Sequence, residues 1–225
     1  MIKAIVLAGG YSTRIKLKTP KQLVSISGRP LLAHTLDVFE RCKQIQKIIL
    51  VANKKYINQS KALIKQRGYK KVEQVCKGGR TRQQSVFNAL KKTRDCDYVL
   101  IHDGVRPFIS REDIQEVLKA AKKFGAATCA VKAVDTIVEK KGAYMGKILP
   151  RRVLWRIQTP QAFKFDLIYK AHQSVRAKGF YGLSDDAQLI IKIGKKVKMV
   201  QGDYMNFKIT TYADLELAKL MLKNK

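Results

Sequence analysis

Several features are scarce in this chain of 225 residues, and each scarcity narrows the class. It has 4 cysteines, Cys42, Cys76, Cys96 and Cys129, and no CxxC pair among them. Its 3 histidines, His34, His102 and His172, stand at no metal-ligand spacing. A zinc finger or a disulfide scaffold is therefore disfavoured, and scattered buried thiols in a reducing compartment are expected. With 14 glycines and 5 prolines the chain is neither collagen-like nor linker-like. No apolar run approaches the ~20 residues that cross a bilayer. The N-terminal MIKAIVLAGGYSTR has too short an apolar run and no cleavage-like tail, so it reads as a strand rather than a signal peptide. A soluble, cytoplasmic protein with no membrane partner is expected. Acidic residues are also few, 17 against 46 Lys and Arg, giving a formal charge of +29.

Such an excess first suggests nucleic acid. The distribution argues otherwise. Lysines run along the whole chain, often as pairs such as Lys54-Lys55, Lys91-Lys92 and Lys195-Lys196, with no basic tail or block. Aromatic residues are not interleaved with them as a base-stacking platform requires. A solvated lysine-rich surface is the first reading, and a field that focuses small anionic substrates the second. A nucleic-acid-binding module is the distant third. The 46% apolar content excludes a disordered chain. At this length about 70% of the surface can be buried, enough for a full core.

Along the chain, short apolar runs alternate with amphipathic segments. Strands are expected at Ile2–Ala8, Lys47–Ala52, Val72–Val75, Asp97–His102, Ala126–Val131 and Lys196–Val200. Helical spacing marks Pro30–Arg41, Tyr56–Arg67, Arg82–Lys92, Arg111–Lys123, Phe165–Lys178, Ser184–Ile193 and Tyr212–Lys223. This alternation predicts an α/β fold with a mostly parallel central sheet. It stops from Lys132 to Gln161, where turn signals at Lys141-Gly142 and Gly146 interrupt an extended stretch. A protruding β-arm that meets a second subunit would accommodate it. One domain over 1–225, with the arm inserted at about 132–161, is the expected organisation.

Three motifs carry chemistry. Leu7-Ala8-Gly9-Gly10-Tyr11-Ser12-Thr13-Arg14, continuing to Pro20-Lys21-Gln22, follows directly on a strand. Small residues there let backbone N–H groups approach a phosphate chain, and Arg14 and Lys21 add charge. It is neither a Walker A loop nor a dinucleotide fingerprint. Gly78-Gly79-Arg80-Thr81-Arg82-Gln83-Gln84-Ser85 opens a helix whose free N–H groups suit an anion or a base edge, although a plain capping turn would look similar. Ile101-His102-Asp103-Gly104-Val105-Arg106-Pro107-Phe108 ends an apolar strand in Asp103, at the sheet edge where ligands sit. A lone carboxylate beside phosphate loops suits Mg²⁺, which takes one or two carboxylates plus substrate phosphates. An Asp cap or an ion pair with Arg106 is the plainer alternative. His102 reads as buried rather than catalytic. Asp185-Asp186 reads as an acidic pair complementing a helix start.

LAGG-x3-R-x5-PKQ, GG-x2-R-x2-SV, HDGVRPF, the Asp135-Thr136 pair, R-x2-LW-x2-QTPQAF, SDDA and NFKIT occur in that order from Ile2 to the last helix. Together they resemble the 2-C-methyl-D-erythritol 4-phosphate cytidylyltransferase family. The resemblance implies a Rossmann-like nucleotidyltransferase fold with helices on both sheet faces, and a homodimer through the arm. It implies transfer of CMP from CTP to a sugar-alcohol phosphate with Mg²⁺, releasing pyrophosphate. Ala8, Gly9, Gly79 and Ser85 match positions around the cytosine, and Arg80 a further nucleotide-binding position. Gly10, Arg14 and Lys21 match the triphosphate loop, with Arg14, Lys21 and Lys208 as the catalytic cations. Asp103 matches the metal-binding position. Thr136 and Arg151 match arm positions that reach the alcohol phosphate of the neighbouring subunit, and Arg106 and Thr159 further substrate-side positions.

The chain departs from the family pattern in three places. Ser12 stands where Gly is common, Arg80 where an acidic residue is frequent, and HDGVRP replaces HDAARP. A sister family, the ribitol 5-phosphate cytidylyltransferases, shares most of these motifs. Arg151 with Leu154-Trp155, and Ser184-Asp185-Asp186-Ala187, favour the methylerythritol enzyme.

Overall fold

The run Ile2–Ala8 (β1) lacks alternation because it is a central strand, covered on both faces and buried almost throughout. The structure is a computed structural model, and it describes residues 1–10, 19–179 and 182–223. After β1 come β2 (Ser25–Ile26), β3 (Arg29–Pro30), α1 (Leu31–Arg41), β4 (Lys47–Ala52), α2 (Ile57–Arg67) and β5 (Val72–Lys77). Then follow α3 (Arg82–Leu90), β6 (Tyr98–Asp103), α4 (Arg111–Phe124), β7 (Ala126–Lys132), β8 (Ile137–Lys141) and β9 (Tyr144–Leu149). The described chain closes with β10 (Trp155–Lys164), α5 (Phe165–Ala177), α6 (Asp186–Lys192), β11 (Lys198–Gln201) and α7 (Tyr212–Lys223).

Seven strands form one sheet in the order β11-β7-β10-β6-β1-β4-β5. All run parallel except β10, which lies antiparallel between β6 and β7. Helices cover both faces, as expected. On one side Leu32, Leu36 and Phe39 of α1, Leu63 of α2 and Ile114 and Val117 of α4 pack against Val6, Ile48 and Leu100. On the other, Val86 and Leu90 of α3, Ile168 of α5 and Leu189 of α6 pack against Ile5, Ile49 and Ile101. A third cluster seats Leu215 and Leu222 of α7 on Ile26, Val105 and Ile209.

The helix ends follow local chemistry. The Ser110 hydroxyl caps α4 by accepting the Asp113 N–H at 2.9 Å, with Glu112 and Asp113 in the first turn. Gly125, at φ 83°, closes that helix in the left-handed region open to glycine.

The stretch from 132 to 161 divides. Residues 137–149 form the separate β8–β9 hairpin, which exposes Tyr144, Met145 and Ile148. Residues 155–161 do not belong to an arm: from Trp155 the chain re-enters the central sheet as β10. Its residues 158–163 are buried from both sides, which explains the apolar and amide-rich QTPQAF. The β2–β3 pair is a second element without an expected counterpart, turning at Ser27 and Gly28, both with positive φ.

Candidate active site

The chain passes from β1 outward to β4 and β5, then crosses back to β6 on the other side of β1. That reversal leaves a crevice at the C-terminal ends of β1 and β6, where open α/β sheets bind ligands. Register places Leu7 opposite Asp103, so the Gly9-Gly10 loop and the Asp103 carboxylate leave the sheet side by side.

Two cavities open there. One, of about 220 Å³, is lined by Ala8, Gly9, Gly10, Gly79, Arg80 and Ser85, together with Lys21 and Gln22. The other, of about 480 Å³, is lined by Arg106, Thr128, Gln158, Thr159, Asp185 and Met199 among others. Arg82, Asp103 and Lys208 belong to both, so the cavities meet at these side chains.

The first wall is held by side-chain amides and one hydroxyl. Gln22 donates Nε2 to the Ala8 carbonyl at 2.8 Å, and Asn53 donates Nδ2 to that of Gly9 at 3.3 Å. The Ser85 hydroxyl accepts the Gly79 N–H at 2.9 Å and donates to the Thr81 carbonyl at 2.9 Å. A Cβ on Gly79 would come within 2.4 Å of Gln84, whose Oε1 accepts the Arg80 N–H at 2.8 Å. Glycine is therefore required by this loop itself. Thr81 caps α3 by accepting the Gln84 N–H at 3.1 Å. The capping turn expected as the plainer reading is present, and the same turn forms a wall of the cavity.

Asp103 is 6% exposed and faces three cations. Lys208 Nζ lies 2.9 Å from Oδ2, Arg106 Nε 3.5 Å from Oδ2, and Arg82 Nε 3.5 Å from Oδ1. Burial alone would raise the Asp103 pKa. The charges of Arg82, Lys208 and Arg106 outweigh it and hold the carboxyl well below the usual range. Asp103 is therefore ionised at any physiological pH. The expected ion pair with Arg106 exists, as one of three. Lys21 donates Nζ to the Ile209 carbonyl at 2.7 Å, one residue beyond Lys208.

Behind Asp103, the Thr159 hydroxyl accepts the Asp103 N–H at 3.0 Å and lies 3.1 Å from His102 Nδ1. His102 is fully buried, and burial pushes its pKa down to about 3. It is a neutral packing group against Phe39, as expected. Asn206, buried at 0% exposure, donates Nδ2 to the Thr159 carbonyl at 2.8 Å, and its own carbonyl accepts Arg106 Nη1 at 2.7 Å. Gly104 is also accounted for: a Cβ there would lie 2.9 Å from Leu32 Cδ1 and 3.1 Å from the Leu7 carbonyl.

Thr136 and Arg151 are not brought to this crevice. Both are exposed at the base of the hairpin, where Arg151 Nη1 donates to the Val134 carbonyl at 2.8 Å. Neither lines the two cavities. Arg14 and Ser12 lie outside the described residues.

The IspD family model, 2-C-methyl-D-erythritol 4-phosphate cytidylyltransferase, matches residues 2–224. The chain belongs to this family. A family member of that name from Geobacillus kaustophilus is 40% identical over 223 residues, 99% of this chain and 97% of the relative. One from Clostridium perfringens is 40% identical, over 99% of each chain. The crystal structure of 4-diphosphocytidyl-2C-methyl-D-erythritol synthase from Anaerococcus prevotii superposes with a TM-score of 0.86 at 34% identity, covering 99% of this chain and 98% of that one. The Rossmann-like nucleotidyltransferase fold and the methylerythritol branch, rather than the ribitol one, are thereby supported together.

Within this cytidylyltransferase, Arg82, Gln22 and Asn206 are site-building residues to which the motif reading assigned no role, and Asp186 is one that it read only as a helix-start charge. Each lies in a quoted motif, but only the tertiary contacts reveal its task. Asp185 caps α6 as expected, accepting the Ala187 N–H at 2.8 Å. Asp186 instead turns inward to Arg82. Among the described residues no three His, Cys, Asp or Glu side chains gather to hold a metal by themselves. Among the described residues, too, no helix is long and apolar enough to cross a membrane.

Proposed function

We propose that this chain transfers the cytidylyl group of CTP to 2-C-methyl-D-erythritol 4-phosphate, releasing pyrophosphate, in the non-mevalonate route to isoprenoid precursors. One observation carries the reading: a glycine-walled cavity and a second, larger cavity meet at Asp103 and Lys208. CTP would occupy the first, with the cytosine against Ala8, Gly9, Gly79 and Ser85, Arg80 at the rim, and the triphosphate along Gly10 toward Lys21. The alcohol phosphate would approach from the side of Arg106 and Thr159.

The reaction brings together two anions, an alkyl phosphate oxygen and the α-phosphorus of CTP. Catalysis is then mainly positioning and charge neutralisation. The link from Lys21 to the Ile209 carbonyl puts the chain segments of Lys21 and Lys208 side by side, so two ammonium groups can flank the α-phosphate. Arg14 would complete the catalytic set. The attacking phosphate is already ionised, so no side-chain nucleophile or general base is needed.

Mg²⁺ fits as a cofactor held by one protein carboxylate. Asp103 is held in its ionised form, and among the described residues the one ion-pair partner of its Oδ1 is Arg82, at 3.5 Å. Asp103 would hold the ion together with the CTP phosphates, where it supplies charge neutralisation for the leaving pyrophosphate.

Thr136 and Arg151 would act across a homodimer. Their exposure at the base of a hairpin that carries the exposed side chains Tyr144, Met145 and Ile148 supports a role completed by a second copy.

The test is pyrophosphate release from CTP and Mg²⁺, with methylerythritol 4-phosphate and ribitol 5-phosphate offered in parallel. Release with the first alone is expected. Release with ribitol 5-phosphate alone would transfer the chain to the sister activity.

A further inference from the structure

The proposed transfer leaves the second aspartate of SDDA without a task, although its side chain is charged and 1% exposed. Asp186 on α6 accepts Arg82 Nη1 from α3, across 104 residues of sequence. The Nε of the same guanidinium lies 3.5 Å from Asp103 Oδ1, at the tip of β6. Behind Asp186, the fully buried His172 of α5 brings Nε2 to 3.4 Å from Oδ1 and stacks its ring on Phe87 at 5.6 Å. Arg82 Nη2 is buried with no hydrogen-bond partner among the described residues, and the side chain lines both cavities.

One planar fork thus ties two carboxylates from different elements together. A buried ion pair contributes little net stability compared with apolar packing, so stability alone gives weak reason for it. A fork with fixed donor directions does hold a neighbouring carboxylate in place, which the point charge of a lysine cannot do. We infer that Asp186 is a positioning residue for the transfer: it anchors Arg82, and Arg82 fixes the Asp103 carboxylate where the two cavities meet. The inference rests on the reading of Asp103 given above.

The test is a double-mutant cycle in the full-length protein, with pyrophosphate release as the readout. Asp186→Asn and Arg82→Lys should each lower kcat about 10-fold, the lower end of what a preorganised charge partner contributes. KM for CTP should stay within about threefold. The double variant should be no slower than the worse single, because both changes cut the same tether. Independent structural damage would instead multiply, to about 100-fold. Multiplied losses, or Asp186→Asn within about twofold of wild type, would overturn the inference. If Asp186→Asn does not fold, Arg82→Lys at near wild-type kcat overturns it alone.

A second readout needs no turnover. The Arg82 Nε–H should exchange slowly in nitrogen-15 spectra of the wild type. In Asp186→Asn it should exchange at least about 10-fold faster while the α6 amides stay protected. Unchanged exchange would overturn the tether. A wild type that releases no pyrophosphate with this alcohol phosphate would sink the substrate reading, while the exchange measurement still decides the tether.

Discussion

The crevice between β1 and β6 and the β8–β9 hairpin are built in opposite ways. In the crevice the loops are held by side-chain hydrogen bonds: Gln22 and Asn53 hold the glycine loop, Ser85 and Gln84 hold its neighbour, and Asn206 ties Arg106 to Thr159. At the hairpin, Thr136 and Arg151 stand exposed on a two-stranded ribbon. A two-stranded ribbon alone is marginal in water. The difference teaches that sheet topology assembles the glycine-walled cavity within one chain and leaves Thr136 and Arg151 away from it; under the proposed function, a second copy would complete the alcohol-phosphate side.

The comparison can be broken at several points. The largest effect is expected from Lys21→Ala, which would remove the proposed charge partner of the α-phosphate and should lower kcat by ~10²-fold or more. Near-normal turnover would remove Lys21 from the nucleotide side. Arg151→Ala should raise KM for the alcohol phosphate about 10-fold, the scale of one charge-assisted hydrogen bond, and leave CTP affinity alone. Weakened CTP binding, seen by calorimetry, would put Arg151 on the wrong side of the comparison. Deleting 135–151 should convert a dimer to a monomer by sedimentation, and a surviving dimer would show that the hairpin is not the contact.

The smallest effect concerns the interior. Unfolded His102 takes up a proton near pH 6.5, whereas burial holds the folded residue down to about 3. Between those values the unfolded chain binds the extra proton, so stability falls as pH falls. The slope approaches 1.4 kcal/mol per pH unit. Urea unfolding at pH 6.5 and at pH 5 should therefore show a loss of about 1–2 kcal/mol that His102→Gln does not share. An equal loss in both proteins would place the proton elsewhere.

The sequence made local features legible. KIILVA and DYVLIH announce buried parallel strands because both faces are covered. Ser110 and Gly125 bracket α4 through capping chemistry that spans only a few residues. The glycine loops and Asp103 were also readable, since their motifs are contiguous. β10 was not, because QTPQAF owes its burial to insertion between strands far away in sequence, and its amides look like loop residues until Gln161 is seen bonded to Thr128 and Asp185. The Arg82–Asp186 pair was hidden for the same reason. Asp186 obeys the helix-start pattern in sequence, yet its side chain turns away from the helix end to a partner on α3.

The most direct test mixes two inactive-side variants. On the proposed division, Lys21→Ala should disable the nucleotide side of its own chain, and Arg151→Ala the arm that it would lend to a partner. Each is weak alone at alcohol phosphate well below KM. Denatured together in equal amounts and refolded, random pairing gives half heterodimers, each with one intact site. About a quarter of wild-type activity should return. Activity no higher than the average of the two separate variants would mean that both residues serve one site within one chain, and the division of the cleft between two subunits would be wrong.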